Sequence, residues 1–80
     1  MNGAEAQEVK SLLLQNDDQY RQLAEQHNQL DHRLHELADK PYPSTSEQLE
    51  KVTLKKRKLA VKDRMEEMAR EYSHAHSRAS

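Results

Sequence analysis

EQLEKVTLKKRKLAVKDRMEEMAREY, residues 47–72, is the stretch whose reading decides the fold. It holds no Gly or Pro, and Lys, Arg, Glu, Leu and Met dominate it, so every local preference favours helix. Its apolar residues fall into two stripes. At ~100° per residue, Leu54, Val61, Met65, Met68 and Tyr72 lie within an arc of roughly 60°, while Leu49, Val52 and Leu59 gather on nearly the opposite side. One neighbouring helix covers one stripe only. The second asks for a further partner.

Working outward, Asp39-Lys40-Pro41-Tyr42-Pro43-Ser44-Thr45-Ser46 precedes this stretch. Two prolines two apart cannot sit inside a helix, so 39–46 is expected to be a loop. Ser44 with Glu47 offers a reciprocal cap for the helix that follows, and Thr45 with Gln48 a second register for it. Before the loop, Tyr20, Leu23, His27, Leu30, Leu34 and Leu37 alternate at three and four residues, the seam one helix offers another. A helix over 17–38 follows, preceded by a shorter one over 5–15 with Ala6, Val9, Leu12 and Leu13 at helical spacing. Between them Asn16, with Gln19 three residues on, resembles a capping box, although the heptad phase runs through it with Asn16 at a d position. Residues 1–4 are expected to be frayed and 73–80, SHAHSRAS, to form a flexible tail.

The fold class expected is all-α: an antiparallel, coiled-coil-like helical hairpin with an additional short N-terminal helical segment, oligomerising through what the hairpin leaves uncovered. A loop of this length is usual between antiparallel helices. Placing Leu34 opposite Leu54 sets His27 near Val61, Leu23 near Met65 and Tyr20 near Met68, with Leu30 facing Lys58. The hairpin seam is then Tyr20, Leu23, His27, Leu30, Leu34, Leu37, Leu54, Val61, Met65, Met68 and Tyr72. Leu49, Val52 and Leu59 remain as the candidate oligomer interface.

Composition agrees with a thin helical core. Of 80 residues, 34% are hydrophobic and none is Phe or Trp, too little for a thick-cored enzyme. Another 34% are charged, and 13 basic against 14 acidic side chains nearly cancel, so disorder driven by net charge is not expected. Residues 4–39 carry eight acids against three bases, and 44–72 carry eight bases against six acids. Opposite sign favours the two helices lying side by side, although each exposed pair is worth under about 1 kcal/mol. The absence of Cys excludes disulfides and thiolate sites. Leu12-Leu13-Leu14 is too short for a membrane span, and a cytoplasmic protein is expected.

Lys55, Lys56, Arg57 and Lys58 form the densest positive patch. Such residues neutralise phosphates, which makes polyanion or nucleic-acid binding an alternative function. Against it, four consecutive helical residues splay around most of the circumference, and a solvated face paired with acids of the first helices outweighs it. His27, Asp31 and His35 share one helical face and suggest metal-mediated assembly as a second alternative. The line spreads its ends about 12 Å apart, too far for one ion. No resident metal or cofactor is expected. Gly3 is the only glycine, so no phosphate loop exists, and a two-helix chain offers no cleft to shift a catalytic carboxylate. Catalysis and a small-molecule substrate are not expected. The partner is expected to be a second copy or another helical protein.

HNQLDHRLHEL at 27–37 and VTLKKRKLAVKDRM at 52–65 resemble the two signature segments of the YdcH-like proteins, very short bacterial proteins of unknown function with a coiled-coil-type domain. The shared pattern maps onto His27, Leu30-Asp31-His32, Leu34, Leu54-Lys55-Lys56, Lys58-Leu59 and Val61-Lys62-Asp63, and the match spans roughly residues 17–70. The resemblance implies a bacterial cytoplasmic helical hairpin and transfers no catalytic residue. Pairing of Asp31 with Lys55 or Lys58 would fix the helix register.

Overall fold

A computed structural model of the chain describes the backbone of residues 3–79 and the side chains of 6–75. The described chain is all-α. Helix α1 runs Gly3–Asn16, α2 Asp18–Ala38 and α3 Thr45–Ala79. With 35 residues, α3 is about 52 Å long at 1.5 Å per residue, close to the 55 Å long axis of the whole molecule. Everything else is laid along it.

Helix α3 starts on the cap that its sequence offers. The Ser44 N–H donates to Glu47 Oε1 at 2.9 Å, and the Glu47 N–H donates back to Ser44 Oγ at 3.2 Å. The alternative register at Thr45 and Gln48 is not used, because the Gln48 N–H already donates to the Ser44 carbonyl at 2.9 Å. At its other end α3 does not stop where the apolar stripes stop. Residues 73–79 continue the helix in place of the expected tail, since Ser, His, Ala and Arg include no stop signal. Likewise α1 begins at Gly3, within the segment expected to fray; Met1, Asn2 and Ser80 lie outside the described residues.

The break between α1 and α2 is one residue long and falls one residue later than the Asn16 cap. Asp17 is extended (φ −122°, ψ 112°), and its carboxylate accepts the Tyr20 N–H at 2.9 Å. Its own N–H donates to the Leu13 carbonyl, and its carbonyl accepts from Arg21, so both helical ladders reach it. Asn16 instead closes α1, donating Nδ2–H to the Leu12 carbonyl at 3.0 Å. A carboxylate at a helix N-terminus also meets the positive end of the helix dipole, which a neutral amide does not. The heptad phase through Asn16 is therefore broken, and Asn16 is exposed.

The turn at Asp17 lays α1 across the far end of α2 and α3. Leu13, Tyr20, Met68 and Ala69 form a buried cluster there, and Val9, Leu23, Met65 and Tyr72 pack around it. Ala69 lies outside both stripes and is buried only because α1 covers it. At the loop end Leu37 and Leu54 are buried. Between the two ends, His27, Leu30, Leu34 and Val61 are half-buried. Contacts run in opposite order along α2 and α3: Lys40 with Glu47, Arg33 with Glu50, Asp31 with Lys58, and Tyr20 with Met68.

Because Asp17 rather than Asn16 caps α2, Asp17→Ala is expected to lower unfolding stability by about 1 kcal/mol and Asn16→Ala by a few tenths at most. Urea denaturation followed by circular dichroism measures both; an equal or reversed cost would place the cap at Asn16.

Candidate functional site

A helix has one circumference, and α3 divides it three ways. The side towards α2 carries Leu54, Val61, Met65, Met68 and Tyr72, all buried or half-buried. On the far side Leu49, Val52 and Leu59 are 64%, 52% and 59% exposed, so none of the described residues covers them. Ten residues separate Leu49 from Leu59, an apolar strip about 15 Å long.

Between those two sides lies a row that the contiguous run of charge conceals. Lys51, Lys55, Lys58 and Lys62 follow one another at four, three and four residues and therefore share one face. They line a groove of about 580 Å³ with Asp31, Leu34, His35 and Ala38 from α2 and Leu59 from α3. The four-residue patch is accordingly split. Lys55 and Lys58 face this groove; Arg57 lines the opposite one with Gln26, Leu30, Arg33 and Val61; Lys56 lines neither. Lys51 and Lys62 were legible only by counting in threes and fours. A neighbouring hollow contains Lys58 and Lys62 again, with Lys10, Tyr20, His27, Met65 and Glu66. Burial there, with the Glu66 charge, pushes the Tyr20 phenol up.

Ion pairs stitch the helices beside these surfaces. The Arg33 guanidinium donates to Glu50 from Nε at 2.8 Å and from Nη2 at 3.0 Å, and to Glu36 from Nη1 at 3.1 Å. This fork raises the Arg33 pKa and holds the Glu50 carboxyl below its usual range. The Lys58 ammonium donates to Asp31 Oδ1, which lowers the Asp31 pKa. Of the two partners the sequence leaves open for Asp31, the structure selects Lys58, and Leu30, expected to face Lys58, lines the opposite groove with Leu54 and Val61.

The His27, Asp31 and His35 line, the basis of the metal-mediated alternative, is not assembled as a ligand set. His35 Nδ1–H donates to the Asp31 carbonyl at 2.8 Å and lies 3.6 Å from Asp31 Oδ2, while Lys58 occupies Oδ1. An ammonium at that oxygen opposes a cation. His27 lies in the hollow with Lys58 and Lys62, and His32 pairs with Glu36 at 3.0 Å. Among the described residues no three His, Asp or Glu side chains converge on one point.

A family model described as "Protein of unknown function (DUF465)" matches residues 21–69, more than half of the chain. The chain belongs to the DUF465 family. The YdcH-like proteins belong to it as well, so the resemblance carried by the two segments holds. Neither a curated protein nor a solved structure matches the chain. The DUF465 match takes in most of α2, the loop and α3 as far as Ala69, and with them the apolar strip, the lysine row and the Arg33–Glu50 fork. All of α1, the first three residues of α2 (Tyr20 among them) and the last turns of α3 lie outside it.

The loop-end pair gives the DUF465 chain a measurable pH dependence. Lys40 and the Ser44 N–H hold the Glu47 carboxyl at about 2, down from an ordinary 4.5. A carboxyl that titrates lower folded than unfolded stabilises the fold fully above about pH 4.5, and that stability is lost as the pH falls towards 2. Glu47→Gln is expected to lower the melting temperature near neutral pH and to flatten its decline over that acid window. Melting curves that stay parallel for the two proteins would show that Glu47 carries none of the acid lability.

Proposed function

We propose that this DUF465 chain is a non-enzymatic, cytoplasmic helical interaction module. In this reading α2 and α3 form an antiparallel hairpin of coiled-coil type, and the module associates with a second copy of itself through Leu49, Val52 and Leu59. The observation that carries it is the exposure of those three aliphatic side chains in a single strip. Scattered exposed leucines are ordinary, whereas a helical strip of them beside charged flanks is what partner helices cover. The reversed order of contacts along α2 and α3 supports the hairpin. No described helix is long and apolar enough to cross a membrane.

Magnitudes set the kind of association. Covering the exposed part of each aliphatic side chain yields roughly 1 kcal/mol, so six of them in a symmetric pair yield roughly 6 kcal/mol. Lost rotational and translational freedom costs at least about 4 kcal/mol. The contact is therefore weak and reversible, and concentration governs it.

Sedimentation equilibrium is expected to show the mass rising above one chain only in the millimolar range, since a net gain of about 2 kcal/mol corresponds to a Kd on the order of tens of millimolar. Leu59→Glu is expected to hold the mass at one chain throughout that range while the helix content stays unchanged. A wild-type chain that remains monomeric there, or a variant that associates equally well, would remove self-association.

A further inference from the structure

The lysine row has too few acids of its own. Lys58 is committed to Asp31, yet Lys51, Lys55 and Lys62 make no ion pair among the described residues. Glu36 and Glu50 are engaged by Arg33 and Glu47 by Lys40, while Glu66 lines the hollow beside Lys62 without a direct pair to it. Lys51, Lys55 and Lys62 thus stand without a direct ion pair along one side of a groove that Leu34, Ala38 and Leu59 also line.

We infer that this groove is the docking site for an acidic amphipathic α-helix of a partner protein. The row supplies the first reason. Steps of four, three and four residues extend over about 17 Å, and carboxylates spaced the same way on another helix stay in step with them. An extended peptide alternates its side chains between two faces and does not. The apolar lining supplies the second. Leu34, Ala38 and Leu59 offer apolar contact to a leucine stripe, which a phosphate backbone has no means of using. A single-stranded nucleic acid would in turn need aromatic faces beside the lysines. None of the three tyrosines lines the groove: Tyr42 is in the loop, Tyr20 is buried, and Tyr72 packs against the core cluster.

A second copy does not supply such a helix. The outward residues of α2 include Gln22, Glu25, Gln29, His32 and Glu36, with no aliphatic among them. In α1 the aliphatics Val9 and Leu13 belong to the core, which leaves Leu14 as its one exposed large aliphatic. The groove and the self-association strip share Leu59, but Lys51, Lys55 and Lys62 belong to the groove alone. A monomeric mass would defeat self-association and leave this site standing.

The test is fluorescence anisotropy of the full chain with a labelled three-heptad peptide bearing Leu at a and d and Glu at e and g, whose flanking charge keeps it from pairing with itself. The peptide is expected to bind, and a scrambled peptide of equal composition not to. Lys51→Glu/Lys55→Glu/Lys62→Glu is expected to weaken binding about tenfold or more, and the equally charged Lys56→Glu/Arg57→Glu/Arg70→Glu, placed off the groove, about twofold or less. Circular dichroism checks that both variants fold, and Lys51→Gln/Lys55→Gln/Lys62→Gln gives a milder loss if the charge reversal disturbs the helix. Equal binding of the scrambled peptide, or equal loss in the two charge-matched variants, would reduce the site to diffuse charge and overturn the proposal. A DNA oligonucleotide that binds through the same three lysines while the designed peptide does not would overturn it in favour of nucleic acid.

Discussion

Closure of the small cluster of Leu13, Tyr20, Met68 and Ala69 is the condition on which the rest of the molecule stands. Helix α2 has 21 residues and α3 has 35, so α2 alone reaches only part of its neighbour. Met68 and Ala69 are left at the end of that reach. The single extended residue at Asp17 redirects the chain so that α1 covers them, which is why a chain this poor in apolar residues has any fully sheltered side chains at its far end. Tyr20 sits at the meeting point. Among the described residues it and Leu37, near the loop, are the two large side chains with almost no exposed surface.

Between those two anchored ends the seam is only half-buried, and charge sets the alignment there. The Arg33–Glu50 fork is directional in a way an ammonium is not, because two parallel N–H groups fix both distance and plane. Together with Asp31–Lys58 it places two cross-helix pairs along the interface, and at its end the loop residue Lys40 is tied to Glu47. None is deep enough to be a large source of stability. The role of the two cross-helix pairs is to exclude sliding, since any slip of the helices breaks both together.

Features written in local chemistry were legible beforehand. The Ser44 and Glu47 cap depends on two side chains three apart, and the two stripes of α3 depend only on spacing. The break near Asn16 was legible too, but not its position: Asn16 and Asp17 are both good caps, and choosing between them depends on where α1 must point. Burial of Ala69 was invisible for the same reason, being a property of α1's path. The helical course of 73–79 is hidden in the sequence because the segment offers no apolar stripe to bury, although it also holds no Gly or Pro to stop the helix. The lysine row is masked in the sequence by the contiguous cations at 55–58, although it is the lysines spaced by three and four that share a face.

Tyr42, between Pro41 and Pro43, has 93% of its surface exposed and packs against nothing that holds the helices together. With no Trp in the chain, the other two phenols, Tyr20 and Tyr72, both sit at the far end of α2, in and against the three-helix cluster. The molecule thus comes with two classes of native optical label, one open to quenchers in solution at the loop tip and one sheltered at the three-helix junction.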